Sequence, residues 1–139
     1  FLLTQIEIAD NNLVHAIKAA EAVTVITQNN PALFFQLGIL KYNNTDFNGA
    51  IGAFLQAIKI VPDYANAKYF LGLAYNKLDK NDLATVQFQD LKKTNPDNKE
   101  IDLNLGNLKN NKDPFFKAQP PITSKPEKRS ELPIKQTNQ

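Results

Sequence analysis

The stretch "FFQLGILKY" (residues 34–42) is echoed by "KYFLGLAYN" (residues 68–76) and again by "DLNLGNLKN" (residues 102–110). A Leu-Gly pair occupies the same place in each stretch, and the glycines are Gly38, Gly72 and Gly106. Each step along the chain is therefore 34 residues. A fixed interval of this length is typical of repeat proteins, in which one unit is one supersecondary structure.

Other residues also align when the sequence is shifted by one period. They are Ala16, Ala50 and Ala84; Phe54 and Phe88; Pro62 and Pro96; and the aromatic series Phe1, Phe35 and Tyr69. A single Leu-Gly pair would carry no weight, because leucine recurs at helical spacing in any helical bundle. The agreement of so many positions predicts a helical-hairpin repeat.

Within one unit the apolar spacing is helical. Phe34, Leu37 and Leu40 recur at three residues, which forms a stripe on one helix face. The predicted helices cover 31–43, 47–60, 65–78, 82–94 and 99–111, preceded by a shorter pair at about 1–9 and 12–27. Asn30-Pro31 and Asp46 are suited to begin helices. The fold class predicted is all-α, a right-handed superhelical array of antiparallel helix pairs with an extended proline-rich tail.

The repeated glycine has a packing explanation. A glycine inside a helix costs about 1 kcal/mol relative to alanine. Its recurrence at one phase therefore indicates a compensating gain. We expect Gly38 and Gly72 to let two helices approach closely, with Phe54 and Phe88 filling the space beside them.

Composition and charge exclude several classes of function. Residues 1–111 carry 10 Lys and 11 Asp+Glu, and residues 112–139 carry 6 Lys+Arg and 3 Asp+Glu, so the basic pI of 8.8 comes from the tail. A near-neutral folded part offers no surface for nucleic acid. No cysteine is present, His15 is the single histidine, and no apolar run is long enough to cross a membrane. No catalytic residues, metal ligands or cofactors are predicted, and the chain is not expected to be an enzyme.

The chain begins "FLLTQIEIAD", without Met or a signal-peptide pattern. It is interpreted as the middle of something larger or a processed terminus, so the compartment is not indicated. The 17 Asn and 15 Lys against one Arg suggest an AT-rich bacterial genome.

These residues resemble the tetratricopeptide repeat family, whose unit is 34 residues long. The positions that match its pattern are Phe34, Leu37, Gly38, Ala50, Phe54, Ala57 and Pro62, then Leu71, Gly72, Tyr75, Ala84, Phe88 and Pro96. Lys41, Lys68 and Leu91 depart from it. The resemblance divides the chain into a partial repeat (1–30), repeats 31–64 and 65–98, a capping helix (99–111) and a tail (112–139). More loosely, "YANAKYFLGLAYNKL" with the proline-rich tail resembles repeat regions of bacterial envelope proteins, which favours a cell-envelope or extracellular location.

The resemblance implies a non-catalytic scaffold that binds an extended or helical apolar segment of a protein or peptide partner in a concave groove. The groove residues it implies are Phe35, Ile39, Tyr42, Tyr69, Leu73, Asn76, Lys77, Leu103 and Asn107. Alternatively, Phe35 and Tyr69 pack between repeats. A subgroup of the family holds a terminal carboxylate with basic and amide side chains. This chain has Phe35, Ile39, Phe70, Glu100 and Asn104 at those positions, which disfavours an acidic tail as ligand.

The last predicted helix and the tail raise further expectations. Asn104, Asn107, Asn110 and Asn111 are expected to make the outer face of the capping helix polar. The tail contains five prolines, which predicts an extended or disordered segment. Its anchors are Phe115 and Phe116, followed by Ile122. Residues 113–122 are predicted to pack on repeat surface of their own chain or a neighbour.

Two alternatives remain open at this stage. The chain could be a structural subunit whose arrays stack head-to-tail into a homopolymeric fibre, with the tail docked on the neighbour. Asn43-Asn44-Thr45 also fits the N-glycosylation pattern at Asn43, although a chance match in an Asn-rich chain is the favoured explanation.

Overall fold

The computed structural model describes residues 2–116, and their side chains from residue 11 onward. Within this range the chain forms six α-helices and no strand, so the all-α prediction is confirmed. The helices are α1 (Leu2–Ile26), α2 (Pro31–Asn43), α3 (Phe47–Ile60), α4 (Ala65–Lys77), α5 (Asn81–Thr94) and α6 (Lys99–Lys109). From residue 31 onward, each helix agrees with its predicted range to within two residues at either end.

Side chains at three helix starts satisfy backbone donors that have no partner inside the helix. The Asn30 side chain accepts from the Ala32 N–H at 3.1 Å, and Asp46 accepts from the Gly49 N–H at 3.0 Å. Both predicted caps are confirmed. Asn98 caps α6 in the same way, by accepting from the N–H groups of Glu100 and Ile101. These caps fix where α2, α3 and α6 begin.

The helices α2, α4 and α6 end in the same turn. Each is followed by one residue in the left-handed region, namely Thr45, Asp79 and Asn111, with φ of 60°, 58° and 55°. The next N–H in each case bonds back across the turn, Asp46 to Lys41 O, Lys80 to Tyr75 O and Lys112 to Asn107 O. This pattern closes a helix C-terminus by satisfying its last carbonyls. The backbone therefore ends α6 as it ends the first helix of each pair.

The first 27 residues depart from prediction. Two helices at 1–9 and 12–27 were expected, but α1 is a single helix of 25 residues from Leu2 to Ile26, so this prediction is wrong. The polar run Asp10-Asn11-Asn12 has turn composition but contains neither glycine nor proline. Asparagine in a helix costs only about 0.7 kcal/mol per residue relative to alanine. The sequence therefore contains nothing strong enough to interrupt the hydrogen-bond ladder there.

The chain divides by its contacts into two compact units, with the boundary between Pro62 and Asp63. In the first unit, α1 packs on α2 and α2 on α3, and Ile17, Leu37 and Ala53 form a buried cluster. In the second unit, α4 packs on α5 and α5 on α6. Its fully buried side chains include Tyr69, Phe70, Leu71, Phe88, Leu91 and Ile101.

The glycines show how each helix pair is held together. A Cβ added at Gly38 would lie 2.6 Å from Cδ1 of Phe54, and one at Gly72 would lie 2.8 Å from Cε2 of Phe88. Both phenylalanines are completely buried. The close approach predicted for these two glycines is confirmed. Gly106 differs, because a Cβ built there meets nothing within 4 Å.

We expect Gly72→Ala and Gly106→Ala to change stability in opposite directions. At Gly72 the methyl group would overlap the Phe88 ring, which is completely buried and has little room to move. We therefore expect an overpacking cost toward the upper end of about 1–3 kcal/mol, which exceeds the gain of about 1 kcal/mol in helix propensity. At Gly106 there is open space, so the substitution should stabilise by about 0.5–1 kcal/mol. Urea unfolding followed by circular dichroism measures both changes. Equal changes in the two variants would contradict the packing described here.

Candidate functional site

The residues that follow α6 turn back onto the second unit. The Asp113 carboxylate accepts a hydrogen bond from the Phe115 N–H at 2.8 Å, and the Phe116 N–H donates to the Asp113 carbonyl at 2.9 Å. Such a turn is what an aspartate before a proline favours. As a result Pro114 is completely buried. We refer to residues 113–116 as the return segment.

Two asparagine amides of α6 hold the main chain of the return segment. Asn104 Nδ2 donates to the Pro114 carbonyl at 2.8 Å. Asn107 Nδ2 donates to the same carbonyl at 3.0 Å and to the Phe116 carbonyl at 2.8 Å. Residues three apart on a helix lie on one face, so both amides point in the same direction. Together they form a clamp for main-chain carbonyls two residues apart.

Aromatic rings complete the site on the side of α4. The Tyr69 ring lies 6.4 Å from the Phe115 ring, 5.5 Å from Phe70 and 5.6 Å from Phe88, measured between centroids. Tyr69 is only 1% exposed. Phe116 is 42% exposed, and the Lys112 ammonium lies 4.3 Å from the centroid of its ring. The return segment therefore contacts both α4 and α6.

The prediction that four asparagines make the outer face of the capping helix polar is wrong for two of them. Asn104 is completely buried and Asn107 is 7% exposed, whereas Asn110 and Asn111 are exposed. The physical reason is the return segment, whose buried carbonyls need donors. Asn104 and Asn107 supply them. The sequence shows these two asparagines three residues apart before a proline, which is the signal that could have revealed the clamp.

Among the predicted groove residues of the second unit, Tyr69 and Asn107 meet at the return segment. Leu73 is 2% exposed and Leu103 is half-buried. Asn76 donates to the Asn81 side chain at 2.8 Å, which ties the end of α4 to the start of α5. Lys77 is exposed.

Three predicted groove residues lie on α2 in the first unit, and all are half-buried. They are Phe35, Ile39 and Tyr42. The Phe35 ring lies 5.9 Å from Phe54, and Tyr42 packs edge-on against Phe47 at 5.3 Å. Glycosylation at Asn43, the half-buried last residue of α2, stays a prediction. The predicted packing of residues 117–122, including Ile122, falls outside the described residues.

The first unit also has a pocket of about 700 Å³, and none of the predicted groove residues lines it. Its lining mixes apolar side chains, amides and one cation, and consists of Thr24, Val25, Gln28, Asn29, Phe34, Gln56, Lys59 and Ile60. This mixture does not indicate one ligand class.

Residues 11–116, whose side chains the structure describes, hold no group of three or more His, Asp or Glu side chains able to bind a metal ion. Burial raises the pKa of the Tyr75 phenol above its usual value, so the phenol stays protonated at neutral pH. In the same range, no helix combines the length and the apolar character that a bilayer span needs.

Two buried oxygens beside the clamp have no donor among the described residues. They are Asn104 Oδ1 and Glu100 Oε2. Native structures leave few buried polar atoms in this state.

No protein-family model matches this chain, and no curated protein matches it.

We expect Asn107→Asp to release the return segment while Asn110→Asp leaves it in place. The first variant directs carboxylate oxygens at two carbonyl oxygens, which replaces two hydrogen bonds by repulsion. The second adds the same charge at an exposed position of the same helix. Hydrogen exchange at the Phe115 and Phe116 amides should rise at least tenfold only in Asn107→Asp, because each lost hydrogen bond costs about 1 kcal/mol or more. Equal exchange in both variants would show that the clamp does not hold the segment.

Proposed function

We propose that this chain is a non-catalytic protein-interaction module of the tetratricopeptide type. In the second unit α4 and α6, and in the first unit α2 by itself, bind an extended or helical apolar segment of a protein partner. The observation that carries the proposal is the return segment, because α4 and α6 already hold a short apolar stretch of main chain, here folded as a turn. The 34-residue sequence period and the matching helix ends support the same assignment.

The contacts of the return segment are of the type that peptide-binding proteins use. Main-chain hydrogen bonds supply affinity without depending on sequence, and apolar side chains add selectivity. Here the side-chain amides of α6 donate three hydrogen bonds to the carbonyls of Pro114 and Phe116, and each bond stabilises the contact by about 0.5–1.5 kcal/mol. The Tyr69–Phe115 ring pair adds about 0.5–1.5 kcal/mol. A proline in the segment limits the entropy lost on binding.

The α2 surface offers related chemistry to a partner. Phe35, Ile39 and Tyr42 are spaced three and four apart along the helix, and each keeps part of its apolar surface accessible. Accessible apolar surface at helical spacing is what binds an apolar segment of a partner. The proposal therefore includes α2 as a second place of contact.

The test uses the full chain with Phe115→Ala, which removes the ring contact with Tyr69 and so weakens the binding of the return segment to α4 and α6. We expect a peptide copying residues 112–117 (KDPFFK) to shift the amide resonances of Tyr69, Asn104 and Asn107. A matched peptide, KDGSGK, should leave them in place because it lacks the proline and both rings. Absence of shifts on α2, α4 and α6 with KDPFFK would reject peptide binding as the function.

A second candidate is assembly with other copies, and Gly106 is the observation that favours it. Gly38 and Gly72 each lie against a phenylalanine of a second helix, whereas the space beside Gly106 is open among the described residues. A helix from a neighbouring chain would fill it and extend the array head-to-tail.

Light scattering over a concentration series distinguishes the two candidates. Open-ended growth that is abolished by Gly106→Leu would establish assembly through this face. A monodisperse monomer at all concentrations supports the interaction module and rejects the fibre. Gly52→Leu is the control, since a Cβ at this exposed glycine also meets nothing within 4 Å.

A further inference from the structure

The two buried acceptors on α6 lie together. Glu100 and Asn104 are four residues apart, so their side chains are neighbours on one helix face. Asn104 is completely buried, and Glu100 is half-buried with its Oε2 atom inaccessible. Neither Glu100 Oε2 nor Asn104 Oδ1 has a donor among the described residues.

The orientation of the Asn104 amide is determined by its neighbour. Its Nδ2 atom donates to the Pro114 carbonyl at 2.8 Å, and that carbonyl accepts hydrogen bonds only. Exchanging the amide nitrogen and oxygen would set two acceptors against each other. The Oδ1 atom must therefore be the one that lacks a donor.

The return segment cannot supply the missing donor at its buried residue. Pro114 has no N–H, and the N–H groups of Phe115 and Phe116 already donate to Asp113. Lys112 directly precedes the segment, and its ammonium group lies over the Phe116 ring. The return segment thus satisfies the amide donors of the clamp and leaves the adjacent acceptors unmet.

We propose that Glu100 and Asn104 form a subsite for a basic side chain of a partner peptide. This inference rests on the proposed function and specifies its ligand. The preferred ligand is a short segment with an aromatic residue for Tyr69, carbonyls for Asn104 and Asn107, and Lys or Arg where the return segment has Pro114. A guanidinium or ammonium group offers only donors and carries the charge opposite to Glu100.

The return segment is then an incomplete ligand that occupies the site until a better one displaces it. Its tether gives it a high effective concentration, so it excludes weak ligands. A basic segment gains hydrogen bonds to Oε2 and Oδ1 that the return segment never makes. Such bonds are stronger than neutral ones, because one partner in each is ionised.

Other charges of the second unit do not provide this subsite. Asp102 is on the same helix but pairs with Lys92, and its side chain is 53% exposed. Asp90 pairs with Lys93 and is likewise partly exposed. Among the carboxylate and side-chain amide oxygens of the described residues, Glu100 Oε2 and Asn104 Oδ1 combine burial with the absence of a donor.

The test compares three peptides against the full chain carrying Phe115→Ala. They are KDPFFK, KDAFFK and KDRFFK, each labelled for fluorescence anisotropy. The alanine peptide controls for loss of the proline and for its added main-chain N–H. We expect KDRFFK to bind about tenfold tighter than KDAFFK, since hydrogen bonds to charged groups are worth about that factor. Glu100→Gln should abolish this preference, and Asp102→Asn, which removes the same charge from the exposed face of α6, should retain it.

The outcomes separate this inference from the proposed function. Equal binding of KDRFFK and KDAFFK, or a preference that survives Glu100→Gln, overturns the basic subsite and leaves peptide binding intact. If Asp102→Asn removes the preference for KDRFFK as fully as Glu100→Gln does, the preference comes from the general negative charge of α6. That outcome also overturns the basic subsite. If none of the three peptides binds, the proposed function fails together with this inference.

Discussion

The contact of a phenylalanine ring with a helix glycine determines how the helix pairs are built. Phe54 lies against Gly38 and Phe88 against Gly72, and any larger residue at either glycine would overlap the ring. Glycine in a helix costs stability, so the ring contact must stabilise the pair by more than the helix propensity that is lost. The small residues Ala50 and Ala84, on the same helices as the two phenylalanines, are also fully buried. The interhelical distance within each pair follows from this one contact.

A different constraint governs the end of the described chain. After α6 no second helix follows within the described residues, and a buried turn takes its place. A turn brings main-chain carbonyls toward the core, where each needs a donor. The amides of Asn104 and Asn107 meet this need for Pro114 and Phe116. The same two side chains therefore fix where the chain runs after α6.

Much of the fold could be predicted from the sequence because its determinants are local. The period, the caps at Asn30 and Asp46, and the glycine–phenylalanine pairs all depend on residue type and spacing. The continuous α1 could not be predicted, because three polar residues suit either a turn or a helix and only the energy of the whole helix decides. The burial of Asn104 and Asn107 was missed for another reason. It depends on where the chain goes after Lys112, which helical periodicity does not contain.

The third copy of the first helix differs from the second copy in what covers one of its faces. One period before Asn104 and Asn107 stand Phe70 and Leu73, both almost fully buried in the second unit. Those apolar side chains suit a position that packs against other apolar side chains. In α6 the covering element is a peptide main chain, whose carbonyls an apolar side chain would leave unsatisfied. Replacing the phenylalanine and leucine by amides keeps the helix and its closing turn while changing what the face can hold. The exchange of apolar for amide side chains at fixed period is therefore what lets this face of α6 hold the main chain of the return segment instead of packing against apolar side chains.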